Sequence, residues 1–137
     1  MAGRGRQPNP AVREKILTTA IEVFVEKGYN ANITTMIAER AAISISHMYI
    51  YFKNKEHLLV EAVRRMESEH LALSSELAEK STGLDDESFI NLFYEAQATI
   101  RHRVRFIALC MLTPGTAALF NGIDFDFSRV FTPFFED

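Results

Sequence analysis

The chain has one cysteine, Cys110. An intrachain disulfide is thereby excluded, and a zinc centre built from thiolates is argued against. A lone thiol suits a reducing cytoplasm and reads as a small core residue. Long apolar runs are also missing. Arg4 and Arg6 lie in a polar, Gly- and Pro-containing start with no apolar stretch behind it, so a secretory signal is not expected. The richest apolar region, residues 106–120, is broken by Pro114 and Gly115 and is too short to cross a bilayer. The expectation is a cytoplasmic protein with no membrane attachment.

Signatures of catalysis are absent too. The sequence has no Gly-rich phosphate loop, no nucleophile elbow and no His/Cys metal spacing. Glu67 and His70 stand at Glu-x-x-His spacing, but a di-iron bundle needs a second such pair and further carboxylates. No second pair occurs, so residues 67–70 read as a solvated stripe. Neither an enzyme nor a cofactor or metal is expected. Internal repeats and low-complexity tracts are lacking as well.

Apolar residues make up 47% of the 137 positions and charged residues 24%, a balance that supports a sizeable soluble core. The formal net charge of −3 is the wrong sign for a partner of nucleic acid. It is unevenly spread. Residues 1–60 carry eight Lys and Arg against five Asp and Glu, a formal +3. Residues 61–137 carry seven against thirteen, a formal −6. A positive excess confined to one end is the asymmetry that contact with phosphate would favour.

The periodicity is helical throughout. Residues 1–10 read as a flexible arm, from which Arg4 and Arg6 can reach a phosphate or a minor groove. A first helix over residues 11–26 carries Ile16, Leu17, Ala20, Ile21, Val23 and Phe24 as an apolar stripe, and Gly28 stops it in a left-handed conformation. A second helix over 34–41 has Asn32 or Thr34 as its cap. Ala41, Ala42 and Ile43 make a small-residue junction. Ser44 then caps a third helix over 44–52, with Met48 and Phe52 facing inward. Asn54 caps a long fourth helix from Lys55 to about residue 80, along which Leu58, Leu59, Ala62, Val63, Met66, His70, Leu73 and Leu77 keep helical spacing. A turn at 81–86 supplies Asp85 or Asp86 as cap for a fifth helix reaching Leu112. Pro114 and Gly115 end it, and a short helix follows over 116–120. Residues 121–137 alternate aromatic and acidic residues and remain unassigned.

Two short helices joined by a tight turn, the second polar and aromatic on its surface with lysines just beyond, make a helix-turn-helix. Ile37, Ala38, Ala41, Ile43, Ser44, Tyr49, Tyr51, Phe52, Lys55, Glu56 and Leu58 stand at the spacing of the TetR family of bacterial transcriptional regulators. Upstream, Lys15, Ile16, Leu17, Ala20, Phe24, Gly28 and Tyr29 fall where that family carries its first helix. The chain resembles the family over about residues 12–60. It departs at Ala42, where glycine is usual and where the change should tighten or shift the turn. It departs more mildly at Ser46, where glycine or another small residue is usual.

The resemblance implies an all-α protein: a three-helix DNA-binding domain at 11–56, joined by the long fourth helix to a small helical region at 57–137. It implies a homodimer on operator DNA, released by a small apolar or aromatic effector. The fourth helix would act as the lever between sensor and reader. The DNA-facing set is Thr34, Thr35, Ser44, Ile45, Ser46, His47, Tyr49, Ile50, Tyr51 and Lys55. Thr34, Ser44, Ser46, Tyr49, Tyr51 and Lys55 suit phosphate; Ile45 and His47, with Ile50 or Ser46, suit bases. None of these base-facing residues is Arg, Lys, Asn or Gln, so sequence preference should lean on thymine methyls and DNA shape rather than guanine. Effector-pocket candidates are Met66, His70, Phe89, Phe93, Tyr94, Phe106, Met111 and Phe120. Arg101, His102, Arg103 and Arg105 form a basic cluster read as a solvated face. The C-terminal half is short for the family, with the subunit-pairing helices abbreviated or absent. The competing reading is therefore an interaction module that pairs with a full-length regulator and binds no operator alone.

Overall fold

The structure, a computed structural model, describes residues 8–121. Arg4, Arg6 and residues 122–137 lie outside the described residues. Six α-helices follow one another: α1 Pro10–Lys27, α2 Ile33–Ala41, α3 Ile45–Tyr51, α4 Lys55–Ser81, α5 Asp86–Leu112 and α6 Pro114–Ala117. A 3-10 turn, Ala118–Phe120, comes last. No strand occurs among the described residues, and the expected all-α class holds. No single helix among them is long and apolar enough to cross a membrane. The chain divides into two compact units, Met1–Val63 and Arg64–Asp137.

In the first unit the apolar stripe of α1 is fully internal: Ile16, Leu17, Ala20, Ile21, Val23 and Phe24 are buried. Ile33, Ile37, Ala38 and Ala41 of α2 join them, with Met48 and Phe52 at α3 and Leu58, Leu59, Ala62 and Val63 on the first turns of α4. Sealing each large side chain contributes about 1.5–3 kcal/mol. Arg40 on α2 reaches Glu26 on α1 at 2.7 Å, an exposed pair that adds little beyond orientation.

Helix ends follow local chemistry, with three departures from the sequence reading. First, α1 begins at Pro10, inside the stretch read as a flexible arm. Asn9 is its N-cap, accepting from the Ala11 N–H at 2.8 Å, and Pro10 takes the first helical position, where no N–H is needed. Second, Gly28 stops α1 with φ 79° and ψ −175°. That lies beyond the ordinary left-handed well, in a region that essentially only glycine enters. Third, Pro114 opens α6 instead of ending the helix before it. Thr113, held extended ahead of a proline (φ −94°, ψ 120°), is the break. The Thr113 hydroxyl donates to the Leu109 carbonyl at 2.7 Å, and that of Thr116 to the Cys110 carbonyl at 2.5 Å, which closes the end of α5.

Within the second unit, α4 buries Met66, His70 and Ser74, and α5 buries Ile100, Phe106, Ile107 and Cys110. Burial pushes the Cys110 thiol up to about 11, which makes it an inert packing residue. The expected solvated stripe at 67–70 is not uniform: His70 is 3% exposed, because its position on α4 faces inward. Its neighbour Glu69 pairs with Arg103 of α5 at 2.5 Å. So Arg103 leaves the solvated basic face expected of it, while Arg101, His102 and Arg105 stay exposed.

Candidate nucleic-acid interface

The junction between α2 and α3 is built by two backbone bonds. The Ile43 N–H donates to the Ala38 carbonyl at 3.0 Å, and the Ala42 N–H to the Glu39 carbonyl at 3.1 Å. This is a Schellman ending, and it requires a left-handed residue at its corner. Ala42 fills that corner with φ 59° and ψ 43°. The alanine therefore does not shift the turn, as the sequence suggested. The turn keeps its geometry and Ala42 carries the strain, about 1 kcal/mol for a Cβ in this well.

Ser44 then starts α3. Its hydroxyl oxygen accepts from the His47 N–H at 3.0 Å, which satisfies one of the free donors of the first turn. The helix is only seven residues long, so packing has to hold it in place. Met48 and the following Phe52 do so, both with no exposure. Arg13 of α1 lies 4.7 Å over the Phe52 ring, and its guanidinium also approaches Glu61 at 3.7 Å. The His57 ring stands 5.8 Å from that of Phe52. His57 Nδ1 accepts from the Lys53 N–H at 2.9 Å, which leaves the ring proton on Nε2, 3.6 Å from Glu61. Asn54 caps α4 by accepting from the His57 N–H at 2.7 Å.

With Met48 and Phe52 inward, helical geometry puts Ser46, His47 and Ile50 on the opposite side. Ser46 is exposed, His47 half-buried, and Ile50 64% exposed. Ile45 and Tyr49 lie one turn apart on one flank, both partly covered. Tyr51 lies on the other flank, half-buried, with its ring 5.7 Å from that of His47. The outward face of α3 is thus a short strip of base-sized groups with a phenol at each side.

Thr34 and Thr35 are the second and third residues of α2, Thr34 half-buried and Thr35 exposed. Asn32 takes the cap position but makes no side-chain cap bond. The Ile33 N–H donates to the Asn30 carbonyl at 3.2 Å, which leaves the Thr34 and Thr35 amides of that first turn for an outside acceptor, and the helix dipole favours an anion there. Lys55 opens α4 with its ammonium 4.9 Å above the Tyr29 ring, a contact that orients it.

Two groups beyond the expected set stand beside these. Lys53 is exposed, one residue before the Asn54 cap. The Asn9 N–H donates to the Tyr51 hydroxyl oxygen at 3.0 Å. A signal for the second was present in the sequence, in the triplet Pro8-Asn9-Pro10, where the middle amide is the sole backbone donor.

The effector candidates fall differently. A narrow groove with about 10 Å³ of free volume, room for roughly one water, is lined by Leu73, Ser74 and Leu77 of α4 and Phe93, Ala96, Gln97 and Ile100 of α5. Of the eight candidates, Phe93 lines it. Phe89 stacks on Phe93 at 6.4 Å. Met66, His70, Phe106 and Phe120 are buried, and Met111 is half-buried. Tyr94 is 69% exposed and faces solvent, one helical position round from Phe93. Burial, then Arg103, hold the His70 imidazole below its ordinary range, with Glu69 acting weakly the other way.

The family match to known proteins falls within the first unit. Residues 16–62 match the family described as "Bacterial regulatory proteins, tetR family". The fatty acid metabolism regulator protein of Bacillus subtilis (strain 168) is 30% identical over 69 residues, which is 50% of this chain and 36% of that protein. The HTH-type transcriptional regulator QacR of Staphylococcus aureus (strain Mu50 / ATCC 700699) is 39% identical over 57 residues, 42% of this chain and 30% of that one. The HTH-type transcriptional repressor KstR of Mycolicibacterium smegmatis (strain ATCC 700084 / mc(2)155) is 38% identical over 53 residues, 39% of this chain and 26% of that one. The chain spans about a third of the length of these relatives.

Proposed function

We propose that the chain, whose residues 16–62 match the TetR family of bacterial regulatory proteins, is a DNA-binding transcriptional regulator of that family, a repressor, and no enzyme. The observation that carries this is the outward face of α3. Ser46, His47 and Ile50 are presented to solvent by a helix whose other side is locked into the core. A seven-residue helix enters a major groove with that face down. Tyr49 and Tyr51 then sit at the two flanks, where the phosphate backbones run. Thr34, Thr35, Ser44, Lys53 and Lys55 supply further phosphate contacts, and Ile45 and Ile50 meet thymine methyls.

The second unit holds the response. A small, mainly apolar or aromatic effector enters the seam of Leu73, Leu77, Phe93 and Ile100, with Ser74 and Gln97 as its polar partners. The seam has room for about one water, so binding requires α4 and α5 to part, and the effector selects that state. Two copies associate, a reading supported by the apolar groups Ile90, Tyr94, Leu109 and Leu112 exposed along α5. Each dimer offers two α3 helices to successive major grooves.

The test is a gel shift of the purified chain on duplex DNA from its own promoter region, at two salt concentrations. A regulator binds specifically, and its affinity falls as salt rises. Binding that appears only after a full-length family member is added supports the interaction-module reading. Strong preference for guanine at every selected position contradicts the assigned base contacts.

A further inference from the structure

We propose that Asn9 is a positioning residue for Tyr51: its backbone N–H holds the phenol oxygen from behind, so that the phenol hydrogen is directed outward to a DNA phosphate. The inference rests on the DNA-binding reading of α3.

The contact joins residues 42 apart in sequence, the start of α1 and the last residue of α3, at 3.0 Å. Beyond its carbonyl, which accepts from the Val12 and Arg13 N–H groups, Asn9 makes two bonds of opposite sense. Its side chain accepts from the Ala11 N–H, and its own N–H donates to Tyr51. The flanking prolines explain why this amide is available and aimed. Neither Pro8 nor Pro10 has an N–H, so Asn9 has no competing backbone donor beside it. Pro10 also keeps Asn9 out of the helical region, and it is found extended at φ −91°, ψ 119°. The triplet is therefore a stiff presentation of a single donor.

A phenol has one donor hydrogen and two acceptor lone pairs. With a lone pair engaged by an amide, the hydrogen remains for an outside acceptor, and the incoming bond polarises it toward donation. The ring is half-buried and lies 5.7 Å from His47, so its oxygen is restrained from two sides before any ligand arrives. An unrestrained tyrosine at the end of a seven-residue helix has to lose that freedom on binding.

The experiment compares four single variants and one double variant on a duplex recovered from a random pool by the wild-type chain, with affinity read by fluorescence anisotropy at a temperature where all are folded. Asn9→Pro removes the N–H. Asn9→Ala removes only the cap, and Asn9→Ser keeps both. Tyr51→Phe removes the phenol oxygen. Asn9→Pro and Tyr51→Phe should each weaken binding roughly threefold to tenfold, the range of one hydrogen bond. The double variant should bind no worse than Tyr51→Phe alone, because the amide acts only through that oxygen. Asn9→Ala and Asn9→Ser should stay within about twofold of wild type, with the salt dependence unchanged, since a neutral donor releases no counterion. In the free chain, the Asn9 amide should be protected from hydrogen exchange, and Tyr51→Phe should abolish that protection. Wild-type affinity in Asn9→Pro, penalties that multiply in the double variant, or an unprotected Asn9 amide overturns the proposal. A wild-type chain that enriches no duplex overturns the DNA-binding reading and this role with it, an outcome distinct from the other three.

Discussion

Among the described residues, ten of the twelve largest fully buried side chains lie in the first unit, and the second contributes Met66 and Ile107. Exposed large apolar groups divide the other way. In the first unit they are Ile45, Tyr49 and Ile50, all on α3. In the second they are Leu84, Phe89, Ile90, Tyr94, Leu109 and Leu112, spread from the turn before α5 to its end. Apolar exposure confined to one short helix of an otherwise sealed unit marks a surface kept open for a partner. Exposure strung along a 27-residue helix marks a face without cover. Sequence similarity follows the same line, because the family match ends at residue 62.

The contrast is broken or sharpened first by truncating one aromatic in each unit. Phe52→Ala should cost about 3–5 kcal/mol, since it removes a sealed ring together with its Arg13 and His57 contacts. Phe89→Ala, at a ring 36% exposed, should cost about 1 kcal/mol or less. Urea unfolding measures both, and equal losses would end the distinction. Ser44→Ala comes next. Losing the cap of α3 should cost about 1 kcal/mol of stability and also lower DNA affinity.

Ala42→Gly should act in the opposite direction. It relieves a left-handed alanine and should raise stability by roughly 0.5–1 kcal/mol net of glycine's extra backbone entropy. A loss of stability on this change would mean that the corner is not strained. The smallest effect belongs to His70. Its imidazole is held below the ordinary 6.5, so above that value His70 is neutral in both the folded and the unfolded chain and its contribution to stability is full. Below it the unfolded chain takes up a proton that the folded chain refuses, and stability falls as pH drops. A pH series of unfolding midpoints should show that slope between pH 7 and 5, and His70→Leu should flatten it.

Much of the first unit was legible in advance because its signals are local. Ser44 and Asn54 are caps recognisable from their place before apolar runs, and Met48 and Phe52 are one turn apart on one face. Asp85 caps α5 by accepting from the Ser88 N–H at 2.8 Å, a bond that holds its carboxyl below the usual range. The signals that misled were those whose meaning depends on a distant residue. The start of the chain reads as loose because Gly and Pro suggest no packed element, yet Asn9 is fixed by Tyr51. Residues 67–70 read as solvated because they are polar, yet His70 turns inward and Glu69 has a partner 34 positions away.

Periodicity, caps and turn residues by themselves determined that the described residues are helical, which stretches form the long helices, and which side of each is apolar, since those depend on neighbours within a turn or two of backbone. Only the folded chain decided that Ala42 would be held left-handed, that Arg103 would pair with Glu69, and that an amide at position 9 would meet a phenol at position 51. Each of those outcomes is a bond or a strain set by groups far apart in sequence. Only the packing of one helix on another brings such groups within reach.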